Sequence, residues 1–141
     1  MTTEIPADFA DLIDGPVVVG LTTLMRDGTP QTTPVWCNRD NGYVLINSAV
    51  GRQKVRNMKR DPRVTILAVD PDNPYRYLEI RGEVVETTLE GALEHINELA
   101  RLYRRVPEYY GYAAPAERRQ KEQRIMFKIR PERVNTFGRR R

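Results

Sequence analysis

The sequence holds one cysteine, one histidine and one tryptophan in 141 residues, and each scarcity closes a class of function. Cys37 alone forms no intrachain disulfide and no multi-cysteine zinc site. With His95 as the only imidazole, a protein-built transition-metal site lacks ligands, and no metal site is expected. A Ser–His or Cys–His catalytic pair would have to use that one residue. No apolar run approaches the ~20 residues that cross a bilayer; the longest, Val17-Val18-Val19-Gly20-Leu21, is the size of a strand. The opening Met1-Thr2-Thr3-Glu4-Ile5-Pro6 lacks the basic-then-apolar order of a secretory signal. A cytoplasmic protein that does not enter membranes is the expectation. Net charge is also small: it is +4, and Arg139-Arg140-Arg141 carry three of those charges, which leaves +1 over residues 1–138. A globally basic nucleic-acid surface is therefore not expected.

What is present is enough apolar residue, 40% of the chain, to build one core. No repeat, low-complexity linker or composition break divides it, so residues 1–141 read as a single domain. Residues 5–13 read as a short helix, with Pro6 in its first turn and Ile5, Phe9, Leu12 and Ile13 on one side. Strand-like segments follow at 17–25, 29–37, 43–48, 63–70 and 76–86, with 125–130 and 133–137 closing the series. Arg26-Asp27-Gly28 is a hairpin signal. Pro30 and Pro34 mark the second strand as an edge or a bulge, and residues 38–42 read as the turn after it. Two helices interrupt the strands. One covers 51–60 and stops at Asp61-Pro62; the other covers 89–106, with Leu93, Ile96, Leu99, Tyr103 and Val106 on its buried face. His95 falls between those positions, so it is expected on the helix surface. Residues 107–124 show no clear period. Short antiparallel strands joined by tight turns point to a mainly β fold, a closed or nearly closed barrel with a few helices.

The most informative stretch is Asn47-Ser48-Ala49-Val50-Gly51-Arg52-Gln53-Lys54-Val55-Arg56-Asn57-Met58-Lys59-Arg60. A strand ends, a glycine turn follows, and a helix opens on cations. The helix dipole disfavours positive charge there by ~0.3 to 1 kcal/mol per group. A bound anion removes the conflict, because free N–H groups, the dipole and both Arg52 and Lys54 would then point at it. Phosphate is the natural candidate. At ~100° per residue, Arg52, Arg56 and Lys59 share a face while Lys54 points toward the side of Val50 and Met58; a lysine there needs a route to water or a charged partner. For Arg56, Lys59 and Arg60 a simple solvated basic face remains open. So does a core or interface role for Trp36, beside which Thr33-Pro34-Val35 offers backbone and hydroxyl groups to a flat heteroaromatic ligand.

These segments together resemble the pyridoxamine 5′-phosphate oxidase-like split β-barrel family of flavin and deazaflavin oxidoreductases. The landmarks are Leu21-Thr22-Thr23, Asp27-Gly28-Thr29-Pro30, Thr33-Pro34-Val35-Trp36, Leu45-Ile46-Asn47-Ser48, the run from Arg52 to Val64, Gly82-Glu83-Val84 and Ile129-Arg130-Pro131-Glu132-Arg133-Val134. The resemblance implies a six-stranded antiparallel split β-barrel of the FMN-binding type, a homodimer with two cofactor sites at the subunit interface. Its Pro-Val-Trp and Lys-x-x-Asn-Met signatures are most similar to enzymes that use the deazaflavin coenzyme F420, with FMN as the alternative. On that resemblance Arg52 and Lys54 hold the cofactor phosphate and Asn57 steadies their loop. Thr33, Pro34, Val35 and Trp36 line the ring system, and Asn47 and Ser48 meet the polyol chain or its phosphate. Lys59 or Arg60 engages the acidic polyglutamate tail that only the deazaflavin has. Phe137 departs from the tryptophan of many relatives. Tyr109-Tyr110-Gly111-Tyr112 matches no family motif and reads as packing or interface.

The implied activity is an F420-dependent, alternatively FMN-dependent, oxidoreductase that passes a hydride to a small organic acceptor. No catalytic acid is identifiable. Two other functions compete: a flavin carrier or sensor without turnover, and nucleic-acid binding through the basic helix and arginine tail. The second lacks an aromatic–basic stacking array.

Overall fold

The computed structural model describes residues 4–140. Arg141 of the arginine tail and Met1–Thr3 lie outside the described residues. Seven strands form a single antiparallel sheet: β1 (Val19–Leu24), β2 (Pro30–Val35), β3 (Cys37–Asp40), β4 (Tyr43–Ala49), β5 (Arg63–Asp70), β6 (Asn73–Thr88) and β7 (Arg124–Phe137). Three α-helices accompany them: α1 (Asp11–Asp14), α2 (Gln53–Arg60) and α3 (Ala92–Arg104).

The sheet order is β2-β1-β5-β6-β7-β4-β3, which places β2 and β3 on opposite edges. Only Trp36 separates those two strands in the chain. Two residues reach at most ~7 Å, so the sheet has to curl until its edges nearly meet at Trp36. This explains why seven strands stand where six were expected. The stretch read as one strand, 29–37, is broken at Trp36, and its far half runs on through residues assigned to a turn. The turn itself shrinks to Asn41-Gly42, whose φ values of +50° and +82° give the left-handed pair of a tight hairpin. The polar composition of Asn38-Arg39-Asp40 hid β3. The final two predicted strands are one, β7, which Pro131 bends at a register shift opposite Gly82 without ending it. A Cβ on Gly82 would stand 2.7 Å from the Arg130 carbonyl oxygen. Only glycine allows that approach.

Alternation along the strands sends Val19 and Leu21 of β1, Ile66 and Ala68 of β5, Leu78 and Ile80 of β6 and Phe127 and Ile129 of β7 into one core. The N-terminal segment, a 3₁₀ turn at Ala7–Phe9 followed by α1, caps one end of the barrel. It is fastened by Arg76, 1% exposed, which donates to both Asp11 carboxylate oxygens at 2.7 and 3.0 Å and to Asp70 at 3.0 Å. The Arg76 hydrogen bonds hold the Asp11 carboxyl down at about 2. Residues 89–123, between β6 and β7, carry α3 and then a loop with a 3₁₀ turn at Ala116–Gln120, where the sequence shows no period. α3 packs on β7 and β4.

Candidate functional site

A cleft of about 330 Å³ opens where four parts of the fold meet. The β2–β3 junction contributes Pro34, Val35 and Trp36; the end of β4 and the start of α2 contribute Asn47, Arg52 and Lys54. Ile96 and Leu99 of α3 form an apolar wall, and Tyr109 and Arg124 close the remaining side.

The junction is held from behind. The Tyr103 hydroxyl accepts a hydrogen bond from the Cys37 backbone N–H (3.0 Å) and donates to the Val17 carbonyl (2.8 Å), so one side chain ties the start of β3 to the residues leading into β1, the strand that pairs with β2. Trp36 stacks on that ring with centroids 5.1 Å apart and planes 13° apart. Tyr109 meets Trp36 edge-on at 6.1 Å. Burial pushes the neighbouring Cys37 thiol up to about 12, so it is inert as a nucleophile.

The electrostatics of the cleft are unbalanced. Arg52 is the N-cap residue of α2 and uses no side-chain cap; after Gly51, at φ +96°, the chain turns to present it. Arg52 donates to Glu122 at 2.9 Å, and the Tyr110 hydroxyl donates to the same carboxylate at 2.8 Å. Burial raises the Glu122 carboxyl, but the Tyr110 and Arg52 hydrogen bonds outweigh it and keep the group below its usual range. Arg124 lies 5.1 Å over the Tyr109 ring and 3.5 Å from Glu122. Two arginines thus share one carboxylate. Lys54, half-buried, makes no hydrogen bond or ion pair with any described residue. Its pKa is lowered, first by burial and then by the charges of Arg52 and Arg124. An anion in the cleft would relieve all three.

Behind the cations lies a closed polar chain. Asn47, 8% exposed, spends both amide hydrogens, on the Ala92 carbonyl (2.8 Å) and on His95 Nδ1 (3.0 Å), and its oxygen accepts Arg124 Nε–H at 2.9 Å. Because His95 Nδ1 accepts, its proton is on Nε2, which donates to Asn38 Oδ1 at 2.8 Å. The surface position expected for His95 is therefore wrong. It is 4% exposed, and burial, helped by the Arg124 charge, lowers its pKa to about 4. An apolar period counted on side chains alone passes over a residue buried by polar partners.

Six of the residues singled out from sequence converge here: Pro34, Val35, Trp36, Asn47, Arg52 and Lys54. The rest lie elsewhere in the protomer. Ser48 shares the core face of β4 with Val44 and Ile46, opposite Asn47, and its hydroxyl has no partner; the Thr33 hydroxyl on β2 is also buried without one. Asn57 is fully buried under α2, donating to Thr23 Oγ1 at 3.0 Å and accepting from Gln53 at 2.8 Å. It fastens the helix to β1. Lys59 and Arg60 lie with Arg26 and Arg56 along a separate basic groove of about 540 Å³. The sequence reading missed Tyr109, Glu122 and Arg124. Arg124 heads the series Arg124, Met126, Lys128, Arg130 that alternates with the core residues Ile125, Phe127 and Ile129, but only pairing with Ala49 sets it beside Arg52 and Lys54. Tyr109 and Glu122 come from the segment without a period.

Among known proteins, the family described as pyridoxamine 5′-phosphate oxidase matches residues 5–138. A solved structure called an F420 reductase is 30% identical over 93% of this chain and 98% of its own, with a TM-score of 0.78. A conserved hypothetical protein from Mycobacterium tuberculosis follows at 23% identity, 97% and 86% coverage and a TM-score of 0.71. A FAD-binding protein from Mesorhizobium loti, 18% identical over 85% of this chain and 82% of its own, shares the fold at a TM-score of 0.57. The chain belongs to the pyridoxamine 5′-phosphate oxidase-like split-barrel family.

Proposed function

We propose that this protein is an F420-dependent oxidoreductase whose cleft binds the reduced deazaflavin and delivers a hydride to a small organic acceptor. The observation that carries the reading is an excess of cations over carboxylates at the cleft. Arg52 and Arg124 share the single Glu122 carboxylate, and Lys54 stands beside them half-buried and unpartnered. The residues present suit a phosphate-bearing ring cofactor. Arg52 and Lys54 would hold the phosphate at the α2 N-terminus, Arg124 the adjoining chain, and Pro34, Val35 and Trp36 one face of the ring. When bound, the cofactor supplies the hydride; the protein orients the ring and keeps water from it. Ile96, Leu99 and the Trp36–Tyr109 contact serve that exclusion. The likeness to an F420 reductase supports the deazaflavin over FMN. FMN is the second reading, because the same cations suit its phosphate. The groove of Lys59, Arg60, Arg26 and Arg56 favours the deazaflavin, whose acidic tail FMN lacks.

A homodimer in the cytoplasm completes this proposal. Val69, Tyr77 and Phe137 adjoin across β5, β6 and β7 on the outer face of the sheet, and Tyr77 stacks on Phe137 at 5.7 Å. With Leu67 they form an exposed apolar strip, of the kind that marks an interface; a second copy on this face would bring its own residues toward Pro34, which stands in register with Leu67 across Gly20. Fluorescence titration with F420 and with FMN tests the binding. Saturable quenching at one site per chain, tighter for F420, is expected; no quenching by either contradicts the proposal.

A further inference from the structure

We infer that His95 is a positioning residue: by fixing the Asn47 amide in one orientation it holds the Arg124 guanidinium at the cleft wall. The inference rests on the proposal that the cleft receives an anionic group. His95 itself does not line that cleft, and nothing in the proposed activity uses an imidazole. Its importance comes from hydrogen-bond arithmetic. Asn47 has two N–H donors and one carbonyl, and all three are spent, on Ala92, His95 and Arg124. Turning the amide over would set its oxygen against the Ala92 carbonyl and its N–H groups against Arg124 Nε–H. Only one orientation satisfies every partner, and it requires an acceptor at His95 Nδ1. That nitrogen accepts only while Nε2 carries the proton, and Asn38 Oδ1 keeps the proton there.

The chain therefore runs from β3 through α3 and β4 to β7, with each link carrying a direction. Asn38 sets the tautomer of His95, His95 sets Asn47, and Asn47 sets Arg124. Tyr109 beneath the guanidinium and Glu122 at its edge, 5.1 and 3.5 Å away, permit several orientations. The 2.9 Å bond from Nε to Asn47 selects one of them. Without the acceptor at position 95, Asn47 has a buried donor unpaired and is free to shift, and Arg124 loses its fixed aim.

Two variants separate positioning from packing. In H95N the amide oxygen takes the place of Nδ1 and the acceptor survives. In H95Q the amide reaches the place of Nε2, so the bond to Asn38 survives and the acceptor facing Asn47 is lost. The Arg124 Nε–H signal in the nitrogen-15 spectrum of the ligand-free protein, assigned by its loss in R124K, reports the link directly. Titrations with F420 and FMN report its effect. The expected result is that H95N keeps the signal and both affinities within about twofold. H95Q shifts the signal to that of a solvated arginine and weakens both probes by roughly tenfold, the effect of one lost charged hydrogen bond. A wild-type signal and affinity in H95Q, or equal losses in both variants, would overturn the inference. Should neither probe bind the wild-type protein, the cofactor proposal fails, and the Arg124 signal alone decides this one.

Discussion

Lys54 is the residue on which the electrostatics turn. It is half-buried beside two arginines with no carboxylate of its own, an arrangement that costs free energy in the empty cleft and returns it when an anion arrives. Replacing it by methionine keeps the stem and removes the charge. K54M is expected to weaken F420 and FMN about tenfold or more, since a charged hydrogen bond contributes ~1.5 to 3 kcal/mol, while thermal stability is unchanged or slightly raised. Glu122 acts in the opposite sense. It occupies Arg52 as an internal counter-anion, so E122Q is expected to tighten either cofactor roughly threefold, on the scale of one partly exposed ion pair. Titration of the two variants side by side checks both signs. Arg52 and Lys54 were legible in the sequence because cations at a helix start contradict the dipole. Arg124 was not, because an arginine at the head of a strand contradicts nothing until strand pairing places it beside Asn47 and Glu122.

Among the elements, the break between β2 and β3 decides whether the cleft exists. The two strands belong to opposite edges of the sheet, and the Tyr103 hydroxyl ties the start of β3 to the residues leading into β1 by taking the Cys37 N–H and giving to the Val17 carbonyl. Y103F keeps the ring stack under Trp36 but orphans a buried N–H. It is expected to lower stability by about 1 to 3 kcal/mol in urea unfolding, and to loosen cofactor binding through Trp36. Strand β5 was readable to the residue because its alternation is strict and Pro62 precedes it. β3 was not, since three of its four residues, Asn38, Arg39 and Asp40, are polar and look like a turn. The helix boundaries of α2 and α3 shrank for the ordinary reason that end residues serve as caps.

At the scale of the whole molecule, the pH dependence of stability has a readable origin. The folded protein keeps His95 neutral down to about pH 4, whereas an unfolded chain takes up the proton near the ordinary value of 6.5. Between those limits the unfolded state binds more protons, so the His95 contribution to stability is constant above about pH 6.5 and falls as pH drops toward 4. The loss is about 3 kcal/mol at most. Urea unfolding from pH 7 to pH 4 is expected to show that decline in the wild-type protein and a flatter curve in H95N. The proposed homodimer would seat on the strip of Leu67, Val69, Tyr77 and Phe137: L67K is expected to shift a dimer toward monomer in sedimentation velocity and to weaken cofactor binding with it. The barrel was legible because turn chemistry and alternation repeat along the chain. The strip was not, because outward apolar residues on a strand look the same as inward ones until the register is known.

The account stands on the claim that the cations at the start of α2 exist to hold the phosphate of a redox cofactor. Native mass spectrometry with saturating F420 and FMN, on the wild-type protein and on K54M, tests it most directly. Two chains carrying two deazaflavins, with occupancy collapsing in K54M, is the predicted spectrum. Protein that carries neither cofactor, or a K54M spectrum as fully loaded as the wild type, would contradict it.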